Sequence, residues 1–428
     1  MQITVNVKEL SQALNSIIAL QKKMPAELSR TDAGIAILRN GSSEYEVVAS
    51  YEWFSVSVKL PTATGVGDDM QPWTGGRITQ NNVIGIVEAE QLGKILSKIT
   101  NKKQDAVIKH KMNANHLSIS IGGNQEYKIS TNVPKKVLSN YGVTITDKHI
   151  ASLDATATED FISTINSLAG VITTSVSQPS FGCVCIDSFE KTEGGGLFIR
   201  MAGSSDIDGF SVIANTQQQA DGHFTALLPK LLADSIKAFF KCFGNIETMD
   251  IGAVIGEDGK SKSLSFKSEL FSLWLSCMTD EFPFNRLSMI LGAVANPPVT
   301  VTTATSEFVK AISRMTIMAS GDNSLTSISI TDGGAIELNQ YNNADVKNSL
   351  ACEKLTADRV VNFPSDKAEV STIVKTNILK KMIGFYHPDL FYVSLTINAN
   401  GSNGKAIFSD GTEYEEGIAS VQLGVKVK

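Results

Sequence analysis

The chain contains few residues whose spacing is typical of catalysis. Its five histidines are dispersed: His110, His116, His149, His223 and His387. None has a second histidine four residues away, as a helical zinc site requires, and none belongs to a motif that activates a nucleophile. The sequence therefore predicts neither a catalytic constellation nor a cofactor.

The cysteines offer little more. They number five, at Cys183, Cys185, Cys242, Cys277 and Cys352. Cys183 and Cys185 form a C-x-C in a strand-like stretch, which places both side chains on one face. A zinc site there requires two further ligands, and none stands at ligand spacing. We expect reduced thiols in the core and no metal.

One glycine-rich stretch ends like a phosphate-binding loop, at Gly259-Lys260-Ser261. However, Val254 stands where the first glycine of G-x-x-x-x-G-K-S belongs, and no helical pattern follows. Asp258-Gly259 lies between two alternating segments, which predicts a β-hairpin turn. Gly194-Gly195-Gly196 is expected to be a flexible hairpin loop.

Three groups of lysines point to binding. The stretches 91–103 and 375–382 contain no acidic residue, and 229–241 contains only Asp234. Their lysines are Lys94, Lys98, Lys102 and Lys103, then Lys230, Lys237 and Lys241, then Lys375, Lys380 and Lys381. The spacing of four from Lys94 through Lys98 to Lys102 predicts one stripe on a helix. Lys375 and Lys380 lie further apart around their axis.

For a single helix, such a stripe is ordinarily a solvated face. Three corresponding helices favour a shared basic surface. Lysine suits phosphate contact that does not read sequence, because it is a mobile point charge. Aromatic residues do not interleave with these lysines, so stacking on single-stranded bases is disfavoured. The pattern predicts salt-sensitive contact with the backbone of duplex nucleic acid.

The lysine groups occupy corresponding places in a repeat of roughly 140–150 residues. Each unit has a strand, an amphipathic helix, further strands, a second helix and then hairpins. The first helices carry apolar residues at helical spacing: Val7, Leu10, Leu14 and Ile17; Phe161, Ile162, Ile165 and Leu168; Phe308, Ile312 and Met315. The second helices are the three basic ones.

Alternating segments with Gly, Asn or Asp turns follow each second helix and predict antiparallel hairpins. We therefore expect three α+β domains, at residues 1–148, 149–298 and 299–428. Polar or proline-bearing joints separate them, at 146–148 and 296–298. The open alternative is coincidence, because α+β patterns are common.

Composition fits a globular protein. The 428 residues are 42% hydrophobic, 19% charged and 7% aromatic. No apolar run approaches the roughly 18 residues of a membrane span, and the first residues lack the pattern of a signal peptide. We expect a cytoplasmic protein. The net charge of −6 argues mildly against nucleic-acid binding by overall charge, so the distribution of charge carries the prediction.

Several stretches resemble the bacterial DNA polymerase III beta sliding clamp family. Residues 279–286, Thr-Asp-Glu-Phe-Pro-Phe-Asn-Arg, look like the acidic-x-Phe-Pro-x-x-Arg motif that closes the family's middle domain. Asp208-Gly209 follows a strand as in Asp-Gly-His-Arg-Leu. Residues 223–230 resemble the strand that leads into a Pro-x-Lys helix, and 421–427 parallel the apolar C-terminal tail. The resemblance is divergent but covers essentially the whole chain.

The resemblance implies the DNA clamp fold, in which three repeated domains each place two helices on the lining of a hole and antiparallel sheets outside. It implies a head-to-tail homodimer, and partnership with double-stranded DNA, a DNA polymerase and an ATP-dependent clamp loader, with no membrane. A positive lining and a negative exterior would account for the acidic total. The implied DNA-facing residues are Lys22, Lys23, Lys94, Lys98, Lys102, Lys230, Lys237, Lys241, Lys310, Arg314, Lys375, Lys380 and Lys381.

The family also has a hydrophobic pocket that receives Gln-x-x-Leu-Phe-like motifs. Carried over by position, the pocket comprises Ile162, Ile207, Gly209, Phe210, Val212, Pro283, Leu287, Asn377, Val421, Leu423, Val425 and Val427. Taken singly, each of these residues is typical of an ordinary core, and Ile162 and Val212 fit a core or a pocket equally well. Phe210-Ser211 replaces the family's His-Arg and Gly424 replaces its tail proline, so peptide preference is expected to differ. Such divergence would fit a phage or other outlying replicon.

The resemblance further implies a dimer interface. It places Tyr127 and Ile129, on an outer strand, against Ile317 and Met318 at a helix end. The predicted function is a non-catalytic processivity factor. Two alternatives stay open: a peptide-binding scaffold of the same fold that never encloses DNA, and an unrelated enzyme such as a hydrolase, whose site is assembled from distant residues.

Overall fold

A computed structural model of the 428-residue chain describes most of its residues. The described residues are 1–22, 34–41, 44–65, 71–72, 83–111, 114–123, 125–131, 147–172, 179–191, 195–205, 210–282, 284, 299–318, 324–342, 348–383, 390–395, 404–410 and 418–423.

The described part of the chain contains helices and strands in mixed order. The α-helices are α1 (Val7–Gln21), α2 (Ala89–Ser97), α3 (Ala155–Val171), α4 (Lys230–Phe240), α5 (Thr305–Met315) and α6 (Thr376–Ile383), with a 3-10 turn at Pro179–Gly182. The strands are β1 (Gln2–Asn6), β2 (Gly34–Asn40), β3 (Glu44–Ser50), β4 (Phe54–Lys59), β5 (Thr64–Gly65), β6 (Val83–Glu88), β7 (Asp105–His110), β8 (His116–Ile121), β9 (Gln125–Ser130), β10 (Lys148–Asp154), β11 (Cys183–Glu190), β12 (Leu197–Ser205), β13 (Phe210–Gln219), β14 (Thr225–Pro229), β15 (Thr248–Ile255), β16 (Ser261–Lys267), β17 (Phe271–Ser276), β18 (Val299–Ala304), β19 (Leu325–Thr331), β20 (Ala335–Tyr341), β21 (Ala351–Thr356), β22 (Arg359–Val361), β23 (Glu369–Lys375), β24 (Leu390–Leu395), β25 (Lys405–Ser409) and β26 (Ile418–Leu423).

The chain divides into two compact units. Unit 1 comprises Met1–Ser163 and Phe224–Thr279, and unit 2 comprises Thr164–His223 and Asp280–Lys428. The division runs through α3. The three domains that the repeat predicts, with boundaries at 148 and 298, stay a prediction.

Unit 1 contains two antiparallel sheets. The smaller has strand order β5-β1-β7-β8-β9, and the larger has β10-β15-β16-β17-β4-β3-β2-β6. Phe271 pairs with Val58 where β17 joins β4, so strands far apart in the sequence share one sheet. Between β15 and β16, Gly259 has a φ of +78°, which confirms the hairpin turn predicted at Asp258-Gly259.

The helices of unit 1 bury one face each. In α1, the predicted positions Val7, Leu10, Leu14 and Ile17 are all buried, and the Asn6 side chain caps the helix by accepting from the Lys8 amide. Helix α1 packs on α2 and α4. Beneath α4, the Phe239, Phe240 and Phe271 rings meet edge to face at 5.1–5.5 Å.

Unit 2 repeats this organisation. One sheet contains strands in the order β11-β12-β13-β26-β25-β24-β18-β22, and a second has the order β21-β20-β19-β23. Helices α5 and α6 pack on each other. Helix α5 buries Phe308, Ile312 and Met315, and Phe308 lies 6.1 Å from Phe408 between ring centroids.

The α+β class and the antiparallel hairpins predicted from the sequence are confirmed. Both cysteines of the C-x-C, Cys183 and Cys185, are fully buried in β11. None of the described helices has the length and apolar character that a membrane crossing would need.

Candidate functional site

The predicted DNA-facing lysines of α2 and α4, in unit 1, lie on helix faces that point away from its core. Helix α2 buries Leu92 and Leu96 and leaves Lys94 and Lys98 exposed. The carboxylate of Glu90, four residues earlier, lies 3.2 Å from the Lys94 ammonium. The acid-free stretch 91–103 therefore begins directly after Glu90, the ion-pair partner of Lys94.

Lys102 corrects the predicted stripe. Helix α2 ends at Ser97 with Lys98 as its C-cap, so Lys102 lies beyond the helix. Its ammonium turns back and donates to the carbonyl of Leu96, in the last turn of the helix. The spacing of four residues continues to Lys102 in the sequence, but the helix that would align these lysines on one face ends at Ser97. Lys103 is exposed in the same turn.

Helix α4 presents Lys237 and Lys241 opposite its buried Leu232, Ile236 and Phe240. Both lysines are exposed, and neither has an ion-pair partner in the described part of the chain. Lys230, the first residue of α4, is half-buried, whereas Lys22 is exposed as the C-cap of α1. Lys23 lies outside the described residues.

A cleft of about 430 Å³ runs between the first turns of α3 and the end of α4. Its lining brings together Lys237 and Lys241, predicted to face DNA, and Ile162, predicted for the peptide pocket. Glu159 also lines the cleft. Ile162 is buried, so its side chain belongs to the apolar floor of this cleft within unit 1.

Two basic residues of α5, in unit 2, are paired with acids. Lys310 lies 2.9 Å from Glu307, one helical turn earlier. Arg314 donates two hydrogen bonds to Glu353 on β21, of 2.7 Å and 2.8 Å. These bonds raise the pKa of Arg314 and lower that of Glu353. Their charges are therefore largely neutralised locally.

The α6 lysines differ from those of α5. Lys380 and Lys381 are exposed in the last turn, over buried Ile378, Leu379 and Met382. Neither has an ion-pair partner among the residues that the structure describes. Lys375 is half-buried at the end of β23. Lysines near a helix C-terminus also complement its dipole.

The peptide-pocket residues of unit 2 meet on two paired strands and a nearby helix. Strand β13 carries Phe210 and Val212, both buried, and β26 carries Val421 and Leu423. The backbones pair antiparallel, with Phe210 opposite Gln422 and Ser211 opposite Val421.

Asn377 stands in the first turn of α6, and its buried side-chain oxygen has no hydrogen-bond partner among the described residues. The remaining predicted pocket residues, Ile207, Gly209, Pro283, Leu287, Val425 and Val427, lie outside the described residues.

The predicted dimer residues fall into two kinds. Ile317 and Met318, just after α5, have exposed fractions of 80% and 52%. Tyr127 is half-buried on β9, but Ile129 on the same strand is fully buried, at 0%. The Ile129 side chain points to the inner face of the strand and packs in the core of unit 1, which disfavours Ile129 as a dimer contact.

Sequence reasoning missed Leu350, which is 42% exposed immediately before β21. Within the described residues, β21 pairs only with β20, and β9 only with β8, so both are edge strands. A lone leucine before a strand carries no periodic signal. Its exposure appears only after the strand order is known.

One serine, histidine and aspartate come together on β10 and β15. Ser152 donates to Asp250 at 2.5 Å and lies 3.1 Å from His149 Nε2. The same His149 nitrogen lies 3.7 Å from Asp250. In a catalytic triad the histidine bonds the serine with one ring nitrogen and the aspartate with the other, so these three residues do not form one. In the described ranges, no three His, Cys, Asp or Glu side chains form a group suited to a metal ion.

No protein-family model matches this chain, and no curated protein matches it by sequence. Solved structures do. A DNA polymerase sliding clamp from Bacillus subtilis superposes with a TM-score of 0.74 at 16% identity, over 100% of both chains.

The DNA polymerase sliding clamp from Caulobacter crescentus gives a TM-score of 0.73 at 15% identity over 100% of both chains. The DNA polymerase III beta subunit from Thermotoga maritima gives 0.71 at 11% identity, again over 100% of both chains. The chain has the fold of these clamps along its whole length.

Proposed function

We propose that this protein is a DNA polymerase processivity factor, a sliding clamp that encircles duplex DNA and tethers a polymerase to it. One observation carries the proposal: a chain whose fold matches the sliding clamp from Bacillus subtilis over 100% of both chains also presents exposed lysines on α2, α4 and α6. These three helices occupy corresponding places in the sequence repeat. A basic surface shared by repeated helices is what an enclosing lining requires.

Enclosure explains why lysines suffice. A closed ring holds DNA topologically, so each contact can be weak and independent of base sequence. Exposed ammonium groups on flexible stems provide such contacts with phosphate. An acidic total of −6 is compatible with this arrangement, because only the lining needs to be positive.

The proposed ring is a head-to-tail homodimer. Among the described strands, β9 in unit 1 and β21 in unit 2 each lie at an edge of their sheet. Their unpaired backbone groups can continue a sheet into a second chain. Exposed apolar area is supplied by Leu350, just before β21, and by Ile317 and Met318, just after α5. An ATP-dependent clamp loader is the proposed partner that opens this interface.

Polymerase tethering is proposed to use the β13–β26 region. Buried Phe210 and Val212 make an apolar base there, and Asn377 contributes a buried oxygen without a partner among the described residues. An apolar groove that receives an aromatic or aliphatic anchor is a common form of peptide recognition. The proposed role of this chain is that of a non-catalytic subunit of the replicative polymerase.

A second candidate is a peptide-binding scaffold of the same fold that does not enclose DNA. Ion pairing favours it, because Lys94, Lys310 and Arg314 each pair with a glutamate. Those three residues then offer less charge to DNA than the sequence suggests.

Charge reversal separates the two candidates. Lys94, Lys98, Lys237 and Lys241 are replaced by glutamate together, and Lys262, an exposed lysine on β16, is replaced alone as a control. Product length is then measured with a replicative polymerase and clamp loader. The clamp function predicts short products for the fourfold variant and normal products for Lys262→Glu. Products of normal length from both variants would favour the scaffold candidate.

A further inference from the structure

The cleft between α3 and α4, of about 430 Å³, has the size of a small-ligand site, for which roughly 300–1,000 Å³ is usual. One wall is the start of α3, and the other is the end of α4 with the loop that follows it. Strand pairing brings the two walls together, because Asp154, which precedes α3, pairs with Thr248, which follows that loop. This space, the α3–α4 cleft, is lined entirely by residues of unit 1.

Two ammonium groups border the α3–α4 cleft. Lys237 and Lys241 stand four residues apart at the end of α4, so they project from one face of the helix. Both are exposed, and neither has an ion-pair partner among the residues that the structure describes. Glu159 on α3 is the only acidic residue among the described residues of the lining, where it forms no ion pair with either lysine. The lining therefore favours an anion.

The floor of the cleft is apolar. Ile162 from α3 and Phe240 from α4 both line it, and each keeps 6% of its surface exposed. The Phe240 ring packs edge to face against Phe239, Phe266 and Phe271, at 5.4–5.8 Å between ring centroids. A ligand in the cleft would therefore meet exposed ammonium groups on one side and buried hydrocarbon on the other.

Duplex DNA does not account for this combination. Its backbone presents phosphates and sugars, and contacts with phosphate need no apolar surface. An apolar floor beside two ammonium groups suits a ligand that has an anionic head and an apolar body. A phosphate monoester is the best-matched head group, because it carries close to two negative charges at neutral pH and can accept hydrogen bonds from both lysines.

A buried hydroxyl adds a second indication of a ligand. Thr158 lines the cleft and is 5% exposed, and its Oγ1 atom has no hydrogen-bond partner among the described residues. A buried donor that lacks an acceptor costs free energy. An oxygen atom of a bound ligand would supply that acceptor.

We propose that the α3–α4 cleft is a binding site for a small phosphate monoester with an aromatic or aliphatic body. Lys237 and Lys241 bind the phosphate, Ile162 and Phe240 contact the body, and Glu159 limits the negative charge that the cleft accepts. The site does not depend on enclosure of DNA. The inference therefore goes beyond the proposed function and does not rest on it.

The probe for this site is 1-naphthyl phosphate, and its binding to the full chain without DNA is measured by saturation-transfer difference NMR. Lys237→Gln and Lys241→Gln each remove one cation, and Glu159→Gln removes the carboxylate. Two exposed residues away from the cleft provide matched controls. They are Lys262→Gln on β16 and Glu257→Gln in the turn before it.

We expect a Kd on the order of 0.5 mM for the wild type, as is typical of a ligand of this size. Each lysine variant should weaken binding by about three- to tenfold, because it removes a charge-assisted hydrogen bond from a partly solvated phosphate. Glu159→Gln should strengthen binding by about twofold, because it removes a like charge. Both control variants should bind like the wild type.

The two parts of the ligand and the buried hydroxyl are tested separately. 1-Naphthalenemethanol, which lacks the charge, should bind at least about tenfold more weakly than the probe. Inorganic phosphate, which lacks the apolar body, should not displace the probe when the two are present at equal concentration. Thr158→Val should weaken binding by about threefold without lowering the melting temperature, because the folded protein loses no hydrogen bond.

Absence of saturation transfer from the wild-type protein, or unchanged affinity in both lysine variants, would overturn the site. Equal affinity for the neutral alcohol, or an equal loss in Lys262→Gln, would also overturn it. Lys237, Lys241 and Glu159 are exposed, so their variants should fold. Failure of this site is distinguishable from failure of the clamp function, because no DNA is present here and DNA retention is measured without the probe.

Discussion

Arg314 and Glu353 meet through two parallel hydrogen bonds, of 2.7 Å from Nε and 2.8 Å from Nη2, across 39 positions of sequence. The fork joins α5 to the edge strand β21. A guanidinium engaged in this way offers little net charge to phosphate. We therefore expect Arg314 to contribute less to DNA binding than Lys380 and Lys381 of the same unit.

Removing the whole Arg314–Glu353 pair should leave DNA affinity unchanged. The variant Arg314→Gln/Glu353→Gln keeps the net charge, whereas Lys380→Gln/Lys381→Gln removes two exposed charges. Binding of a labelled duplex is measured by anisotropy as a function of salt. We expect the logarithmic salt slope to fall by about 0.9 for each lysine removed and to stay unchanged for the neutral pair. Equal slopes for both double variants would contradict the assignment.

Ile317 should hold the proposed dimer together. Its 80% exposed side chain follows α5, the helix that packs on the edge strand β21, and a charge there would have to be buried in an interface. We expect Ile317→Asp to yield protomers of 46.0 kDa and the wild type to yield twice that mass, by sedimentation equilibrium. Ser365→Asp, an equal change of charge at an exposed loop residue of the same unit, should remain dimeric. A wild-type protein with the mass of a single protomer would contradict the proposed interface.

Ile129 should behave differently, because it is buried within unit 1. Ile129→Ala removes core contacts and should lower the free energy of unfolding by about 2–5 kcal/mol. Denaturant unfolding measures this loss, and the mass of the folded protein should stay that of the dimer. A dissociated but equally stable variant would return Ile129 to the interface.

Asp147 predicts a pH dependence of stability. Burial raises its pKa, but hydrogen bonds from Lys267 and Ser265 and the charge of Lys267 together lower it below its ordinary 3.8. The Lys267 ammonium lies 2.6 Å away. A carboxyl with a depressed folded-state pKa binds fewer protons when folded, so its stabilisation is present above 3.8 and is lost as pH falls through the lower, folded value.

Asp147→Asn should therefore cost about 1 kcal/mol at neutral pH. The difference from wild type should shrink as the pH falls below 3.8. Urea unfolding at several pH values checks this, with Glu257→Gln in the β15–β16 turn as a neutral control. A cost that does not change with pH would show that the ion pair is not its source.

The cysteines should differ in reactivity. Burial, assisted by the charge of Asp280, raises the pKa of Cys183 to about 12, and Cys185 is equally buried. Cys352 is exposed, although burial of its sulfur and the charge of Glu337 raise its pKa as well. Mass spectrometry after N-ethylmaleimide treatment should find Cys352 labelled and Cys183 protected until urea is added. Rapid native labelling of Cys183 would contradict its placement in the core.

Periodicity predicted the helices well where one face is buried. Leu10, Leu14 and Ile17 repeat at helical spacing because this places all three on the helix face that packs in the core, and the structure buries all three. Helix ends were less predictable. The lysine spacing suggested a helix continuing to Lys102, but α2 stops at Ser97, because nothing in a repeat of charged residues marks where backbone hydrogen bonding ends.

Contacts between distant segments could not be predicted at all. Arg314 and Glu353 carry no mutual signal in one sequence. The exposure of Leu350 and the burial of Ile129 depend on which strands lie at sheet edges, and that order is a property of the complete fold. The resemblance supplied the fold and the candidate surfaces, but not the ion pairs that decide which charges remain available.

Enclosure is tested most directly by cutting the DNA. The protein is loaded by a clamp loader onto a nicked circular duplex, the loader is removed, and the bound protein is followed before and after a single cut linearises the circle. A sliding clamp stays on the circle, through salt that abolishes ordinary lysine–phosphate binding, and leaves quickly once an end exists. Equal loss from circular and linear DNA would contradict the account.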